Sequence, residues 1–281
     1  MTKPSFEPLP VPQKKEAEPP RISFEKRDLY NTAEARLNLL KPLLAEEAGR
    51  LKKLGAPVDG EARIDISAFS KIGQYDTKII EKDLGEITDK EQMFKHQNTP
   101  GAEMARSIGE LLEVTKTILF NRYWFNQNFI ALRTSKHDDY HFGIDELVFD
   151  RFAREPLSEP MAVIDMTTDP RRKDMDEKTA RGGKVKYGLR WDKKKKAFKA
   201  GSLENLPIFV VQIKNEQVLA LAREILDKKL SPESQALEKD ILTELRDQCD
   251  DYGPSSPNKA VAESYKKAAE TFSLMIHNLY I

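Results

Sequence analysis

Residues 143–167, GIDELVFDRFAREPLSEPMAVIDMT, decide the fold. They hold two short apolar runs, Ile144–Phe149 and Met161–Met166, each rich in β-branched side chains and set apart by Pro156 and Pro160. Runs of this length, bounded by glycine and proline, read as strands. Two similar runs flank them, Phe129–Leu132 upstream and Ile208–Ile213 downstream, the second introduced by Pro207. Four strands are therefore expected.

Outside this block the apolar spacing changes to three and four, the period of a helix face. Ala33, Leu37, Leu40, Leu44, Ala48 and Leu51 predict a helix over 26–55, ended by Gly55 and Pro57. Residues 61–98 predict short helices. Met104, Ile108, Leu111, Leu112, Thr115, Ile118 and Leu119 form one face of a long helix over 101–125. After the last strand, Val218, Ala222 and Ile225 share a face. Ser231-Pro232 then opens a helix carrying Leu237, Ile241, Leu245 and Cys249. Gly253-Pro254 is expected to break the chain, and a final helix carries Val261, Tyr265, Ala268, Phe272, Met275 and Leu279. The central order is helix, three strands, a helix or loop, one strand, helix. That order predicts an α/β fold, a small mixed central β-sheet of about four strands flanked by helices. Four segments follow: a proline-rich tail over 1–22, a helical N-terminal extension over 23–100, an α/β core over 101–230 and a C-terminal helical pair over 231–281.

Lys+Arg and Asp+Glu both number 46, so no whole-chain positive charge points to a nucleic-acid partner, and any such argument must be local. Cys249 is the only cysteine, which excludes an intrachain disulfide and a thiolate zinc site. No apolar run approaches the roughly 18 residues of a membrane span, and no apolar leader follows the N-terminus. A cytoplasmic protein is expected, with no membrane association.

Chemistry, where present, gathers in the strands. Asp145 opens the second strand and Asp165 ends the third, both among apolar neighbours. Two carboxylates on adjacent strands suit a hard divalent cation such as Mg²⁺, which takes oxygen ligands. Glu110 or Glu113, on the preceding helix, offers a third carboxylate. Set against this, a helix glutamate is ordinarily a surface residue, and a strand-end aspartate ordinarily caps a turn. His137, His141 and Asp139 have the spacing of a metal-binding helix face, but Gly143 and the strand after it read as a turn. Gly182-Gly183-Lys184 lacks the preceding glycine of a phosphate loop.

A helix with glutamate, a Gly-x-Asp hairpin and a third strand ending in an acid resemble the PD-(D/E)xK nuclease superfamily. The matching residues are Glu110, Gly143-Ile144-Asp145 and Asp165-Met166-Thr167, within 101–214. The segment His137–Asp145 is also similar to a group of bacterial proteins of this fold with no assigned activity. The resemblance implies a restriction-endonuclease-like core and phosphodiester hydrolysis with Mg²⁺ or Mn²⁺ on Asp145 and Asp165. It departs at Thr167, where the family has lysine: a hydroxyl holds a water but carries no charge. Either the lysine has moved, with Lys184, Lys186 and Lys214 as candidates, or the site is inactive.

Residues 171–200 hold thirteen Lys or Arg against four acids, with Tyr187, Trp191 and Phe198 interleaved. Arg171, Arg172, Lys173, Arg181, Arg190 and Trp191 are the expected contacts to DNA or RNA, cations for phosphate and aromatics for stacking. The same composition suits a solvated hairpin with Lys193–Lys196 at its tip. Two functions stay open: a metal-dependent nuclease, or a degenerate nuclease fold that binds nucleic acid or protein. A third possibility is a structural subunit, paired with a copy or partner through its terminal helices.

Overall fold

The computed structural model describes residues 24–72, 75–96, 99–151, 160–168, 178–179, 181–192 and 197–279. The expected tail over 1–22, Arg171, Arg172, Lys173 and Lys193–Lys196 lie outside the described residues. The helices are α1 (Phe24–Lys53), α2 (Phe69–Ile72), α3 (Thr77–His96), α4 (Pro100–Arg122), α5 (Lys136–Phe142), α6 (Asn215–Asp227), α7 (Pro232–Ser255) and α8 (Lys259–Leu279). The strands are β1 (Phe129–Arg133), β2 (Glu146–Asp150), β3 (Ala162–Thr167), β4 (Gly183–Asp192), β5 (Ala197–Leu206) and β6 (Ile208–Gln212).

The four strands read from the apolar runs form one mixed sheet in the order β1-β2-β3-β6. β1/β2 and β2/β3 are antiparallel, and β3/β6 is parallel. Strands β1 and β2 are buried almost throughout. That is why they read as continuous apolar runs and not as alternation.

Helix α4 packs against β1 and β3 and is flanked by α1 and α6. The α1 stripe from Ala33 to Leu51 is buried throughout. Pro42 lies inside α1 on its exposed side, where the missing N–H is least costly. One connected apolar core runs from Ala33 to Met275, so the N-terminal helices, the sheet and the C-terminal pair share it. The α8 stripe of Val261, Tyr265, Ala268, Phe272 and Met275 is buried in this chain's own core, not displayed to a partner.

Three expectations are corrected. The helix or loop between the third and fourth strands is instead the β4–β5 hairpin. His137–His141 lies in α5 and not in a turn: Ser135 caps the helix start by accepting from Asp138 N–H, and Gly143, at φ 60°, ends it. Helix α7 runs through Gly253-Pro254 to Ser255, because a proline in the last turn costs a single hydrogen bond.

The outer strands are met by side chains. Asn121 on α4 donates to the Ala131 carbonyl at 3.0 Å and accepts from its N–H at 3.1 Å. Gln248 on α7 treats Val210 of β6 the same way, at 2.8 and 3.1 Å. The Tyr265 hydroxyl does so for Ile208, at 2.7 and 3.1 Å.

Candidate active site

The strand register brings the two aspartates together. Leu147 lies opposite Val163 and Val148 opposite Ala162. Carried on toward the start of β2, that antiparallel register sets Asp145 opposite Asp165. Gly143 makes this possible by ending α5 in a left-handed turn, so that the chain enters β2 three residues later. The turn is tied down by Thr134, whose N–H donates to the Asp145 carbonyl at 2.8 Å. The Asp145 and Asp165 carboxyls are within hydrogen-bonding reach of each other.

Helix α4 supplies the rest of this side. Glu113, Lys116 and Thr117 share one face by their three- and four-residue spacing. Lys116 is fully buried, with Nζ 3.6 Å from Glu146 Oε2 and 3.9 Å from Asp145 Oδ2, and it donates to the Ile164 carbonyl at 3.3 Å. Thr117 donates to Glu146 Oε1 at 2.8 Å. Glu113 accepts from Arg63 and from Arg133, each at 2.5 Å. Arg63 also reaches Asp139 at 3.4 Å. Glu113, Asp139 and Asp145 each offer a carboxylate oxygen within 4.8 Å of the others. On the far side, Lys178 donates to Asp165 Oδ2 at 2.8 Å and also to the Gly143 carbonyl.

Five carboxyls, Glu113, Asp139, Asp145, Glu146 and Asp165, thus face four cations, Arg63, Lys116, Arg133 and Lys178. Burial and these pairings together set how readily each carboxyl ionises. Burial, with Asp165 alongside, raises the Asp145 pKa well above the usual carboxylate range. Burial acts on Asp165 in the same sense and is the largest single effect, but Lys178, Asp145 and Lys116 together outweigh it and the Asp165 pKa falls. Of the two, Asp145 is the carboxyl whose ionisation burial disfavours more strongly. Burial raises the Glu146 pKa against the pull of Lys116. At Lys116 burial works to lower the pKa, yet Glu146, Asp145, Asp165 and Glu113 together raise it, so the ammonium stays charged. Arg63 and Arg133 overcome burial at Glu113 and hold its pKa down.

The expected residues fall into two groups. Asp145 and Asp165 are brought together, and Thr167 stands on the same β3 face as Asp165, two residues on. Of the two helix glutamates, Glu113 joins the three-carboxylate group, while Glu110 sits one helical turn nearer the start of α4 and lines a cleft of 680 Å³ together with Glu113. Lys184 pairs with Glu204 across the hairpin at 2.9 Å, and Lys186 pairs with Asp83 at 2.5 Å, so neither reaches the aspartates. Lys214 is exposed at the start of α6. The lysines that stand beside the aspartates are Lys116 and Lys178.

Arg181 lines a second cavity of 500 Å³, with Lys178 and Lys184. Arg190 is exposed on β4 directly across from the exposed Lys199. Trp191 lies on β4 opposite Phe198, its side chain outside the described residues. Tyr187 is not a stacking platform: it is buried and donates to Asp83.

Lys116 was missed because a lysine on an amphipathic helix reads as surface. Its signal was present in Val114–Asn121, VTKTILFN, where one charge stands in a run too apolar for any face to be wet. All eight of these residues are buried. Arg63 and Arg133 carried no local signal, since only the tertiary fold sets them beside Glu113. No protein-family model, curated protein or solved structure matches the chain.

Proposed function

We propose that this chain is a metal-dependent, nuclease-like protein of the PD-(D/E)xK kind, acting on DNA or RNA phosphodiesters. The observation that carries the reading is the pairing of Asp145 with Asp165 beside a fully buried lysine, Lys116. The donor set fits a hard cation, because it consists of carboxylate oxygens. Asp145 and Asp165 would hold Mg²⁺ or Mn²⁺, with Asp139 and Glu113 beside them. When bound there, a divalent cation supplies an activated water and offsets charge on a phosphoryl group.

The chain's own residues do the remainder. Burial disfavours ionisation of Asp145 and a bound cation would favour it, so the ion and the Asp145 proton would compete. Lys116 stays charged and supplies the positive potential that Thr167 lacks. Thr167 offers a hydroxyl on the Asp165 face to hold a water. Arg63 and Arg133 fix Glu113 and keep it ionised. Lys178, Arg181 and Lys184 line the neighbouring cavity and suit backbone phosphates. Arg190 and Lys199 face each other as like charges, an arrangement that an anion relieves.

A second reading is favoured by one contact. Lys178 already neutralises Asp165 at 2.8 Å, as a resident cation would in a fold that has lost its chemistry and kept nucleic-acid binding. The test uses purified protein with single- and double-stranded DNA and RNA, in Mg²⁺, Mn²⁺ or EDTA, beside Asp165→Ala. Metal-dependent cleavage that disappears in the variant supports the nuclease reading. Inert protein that still shifts the substrates on a gel supports the second. Neither cleavage nor binding removes both.

A further inference from the structure

Helix α5 carries a second cluster on its other side. His137 and His141 are four residues apart, so their rings lie on one helix face, stacked with centroids 4.4 Å apart. Helix α3 packs against this face and brings Glu86 to it. His141 Nε2 is 3.4 Å from Glu86 Oε2, and one ligand atom from each of Glu86, His137 and His141 lies within 4.8 Å of the other two. We infer that Glu86, His137 and His141 form a binding site for a borderline transition-metal ion of the Zn²⁺ class, which ties α3 to α5.

Three observations point the same way. Two imidazoles with one carboxylate are a donor set that suits Zn²⁺, whereas Mg²⁺ prefers oxygen ligands throughout. At a metal–ligand length near 2.1 Å, tetrahedral ligand atoms stand about 3.4 Å apart, the separation already present between His141 and Glu86. His137 is buried, and its Nδ1 makes no hydrogen bond, with Asp138 Oδ1 standing 3.8 Å away. Its Nε2 lies 3.6 Å from Asp83 Oδ2. A carboxylate behind a ligating histidine orients the ring and strengthens it as a donor. Asp83 is itself fixed by Lys186 and by the Tyr187 hydroxyl. Glu86 and His141 are partly open, so the ion has an entry path.

This site is separate from the carboxylate cluster but shares its scaffold. Asp139 leaves the same helix between the two histidines and reaches Arg63 on the opposite side. An ion at the histidines would hold α5 in place and with it one acid of the candidate active site.

The test is Zn²⁺ binding by the full chain, read by competition with a chromogenic chelator and by the visible absorption of Co²⁺ in place of Zn²⁺. His141→Ala and Glu86→Ala change exposed groups and spare the core. Each is expected to weaken Zn²⁺ binding by about 10- to 100-fold and to remove the imidazole-type Co²⁺ band. Unchanged circular dichroism verifies the fold of each variant. Asp145→Asn is expected to leave Zn²⁺ binding intact. Wild-type protein that fails to compete for Zn²⁺, or a His141→Ala variant that binds as tightly as wild type, overturns the assignment. So does binding that is lost in Asp145→Asn and kept in His141→Ala, which would give the ion to the carboxylates.

Discussion

Lys116→Met removes one buried charge and keeps most of the stem's volume. The ammonium lies 3.6 Å from Glu146 and 3.9 Å from Asp145. At an effective dielectric near 20, a unit charge pair at either distance attracts by about 4–5 kcal/mol. Desolvating the ions, at several kcal/mol each, cancels most of that attraction. Removing only the ammonium keeps the desolvation of the acids and discards the compensation, so the variant is expected to lose about 3–5 kcal/mol. The loss is bounded because Glu146, its pKa already raised by burial, takes up a proton instead of staying charged. It therefore shrinks as pH falls. Urea unfolding at about pH 7.5 and about pH 5.5 reads both effects, with constant m-values marking a clean stability change. The double variant Lys116→Met/Glu146→Gln leaves no buried charge between the two positions and is expected to recover about half the loss or more. A loss below about 1 kcal/mol at neutral pH, or no recovery in the double variant, would refute the reasoning and reduce Lys116 to packing.

Two further outcomes are expected. Lys178 lowers the Asp165 pKa, so their pairing stabilises the fold fully above the unfolded aspartate value, near pH 4, and the contribution is lost as pH falls through the folded value. Lys178→Met should move the acid-unfolding midpoint upward, followed by circular dichroism; an unmoved midpoint would show that the pair contributes nothing. Gly188→Ala should destabilise the protein by about 1–3 kcal/mol, because the added Cβ falls 2.2 Å from Leu203 Cγ and 2.9 Å from the Gly201 carbonyl. An unchanged melting temperature would mean that the β4–β5 pairing is looser than described.

The central sheet was legible because its strands are buried on both faces, and apolar, β-branched runs between prolines state that directly. The β4–β5 hairpin was obscured by its charge. Lys184-Val185-Lys186-Tyr187-Gly188-Leu189-Arg190 alternates as a half-buried strand does, with Val185, Tyr187 and Leu189 inside. Counting its lysines hid the period. Asp145 and Asp165 were legible as charges in apolar company. Their partners were not, since Glu113 and Glu110 share a helix face and only the position of β2 along α4 separates them. The histidines were passed over for a related reason: Gly143 was read as a turn signal for the whole segment, when it is the left-handed residue that ends a helix.

The Asn121 and Gln248 contacts have a consequence for how this protein meets others. A β-sheet invites growth wherever an outer strand offers its N–H and C=O to a newcomer. Here Ala131 on one border and Ile208 and Val210 on the other already have both groups engaged by side chains rooted in core helices. Along β1, the Phe129 carbonyl is also occupied by Arg151, and the Arg133 carbonyl by Ile64. An incoming peptide would have to evict an existing partner at each step. The sheet is four strands wide by construction, closed to strand exchange and fibril templating at these positions.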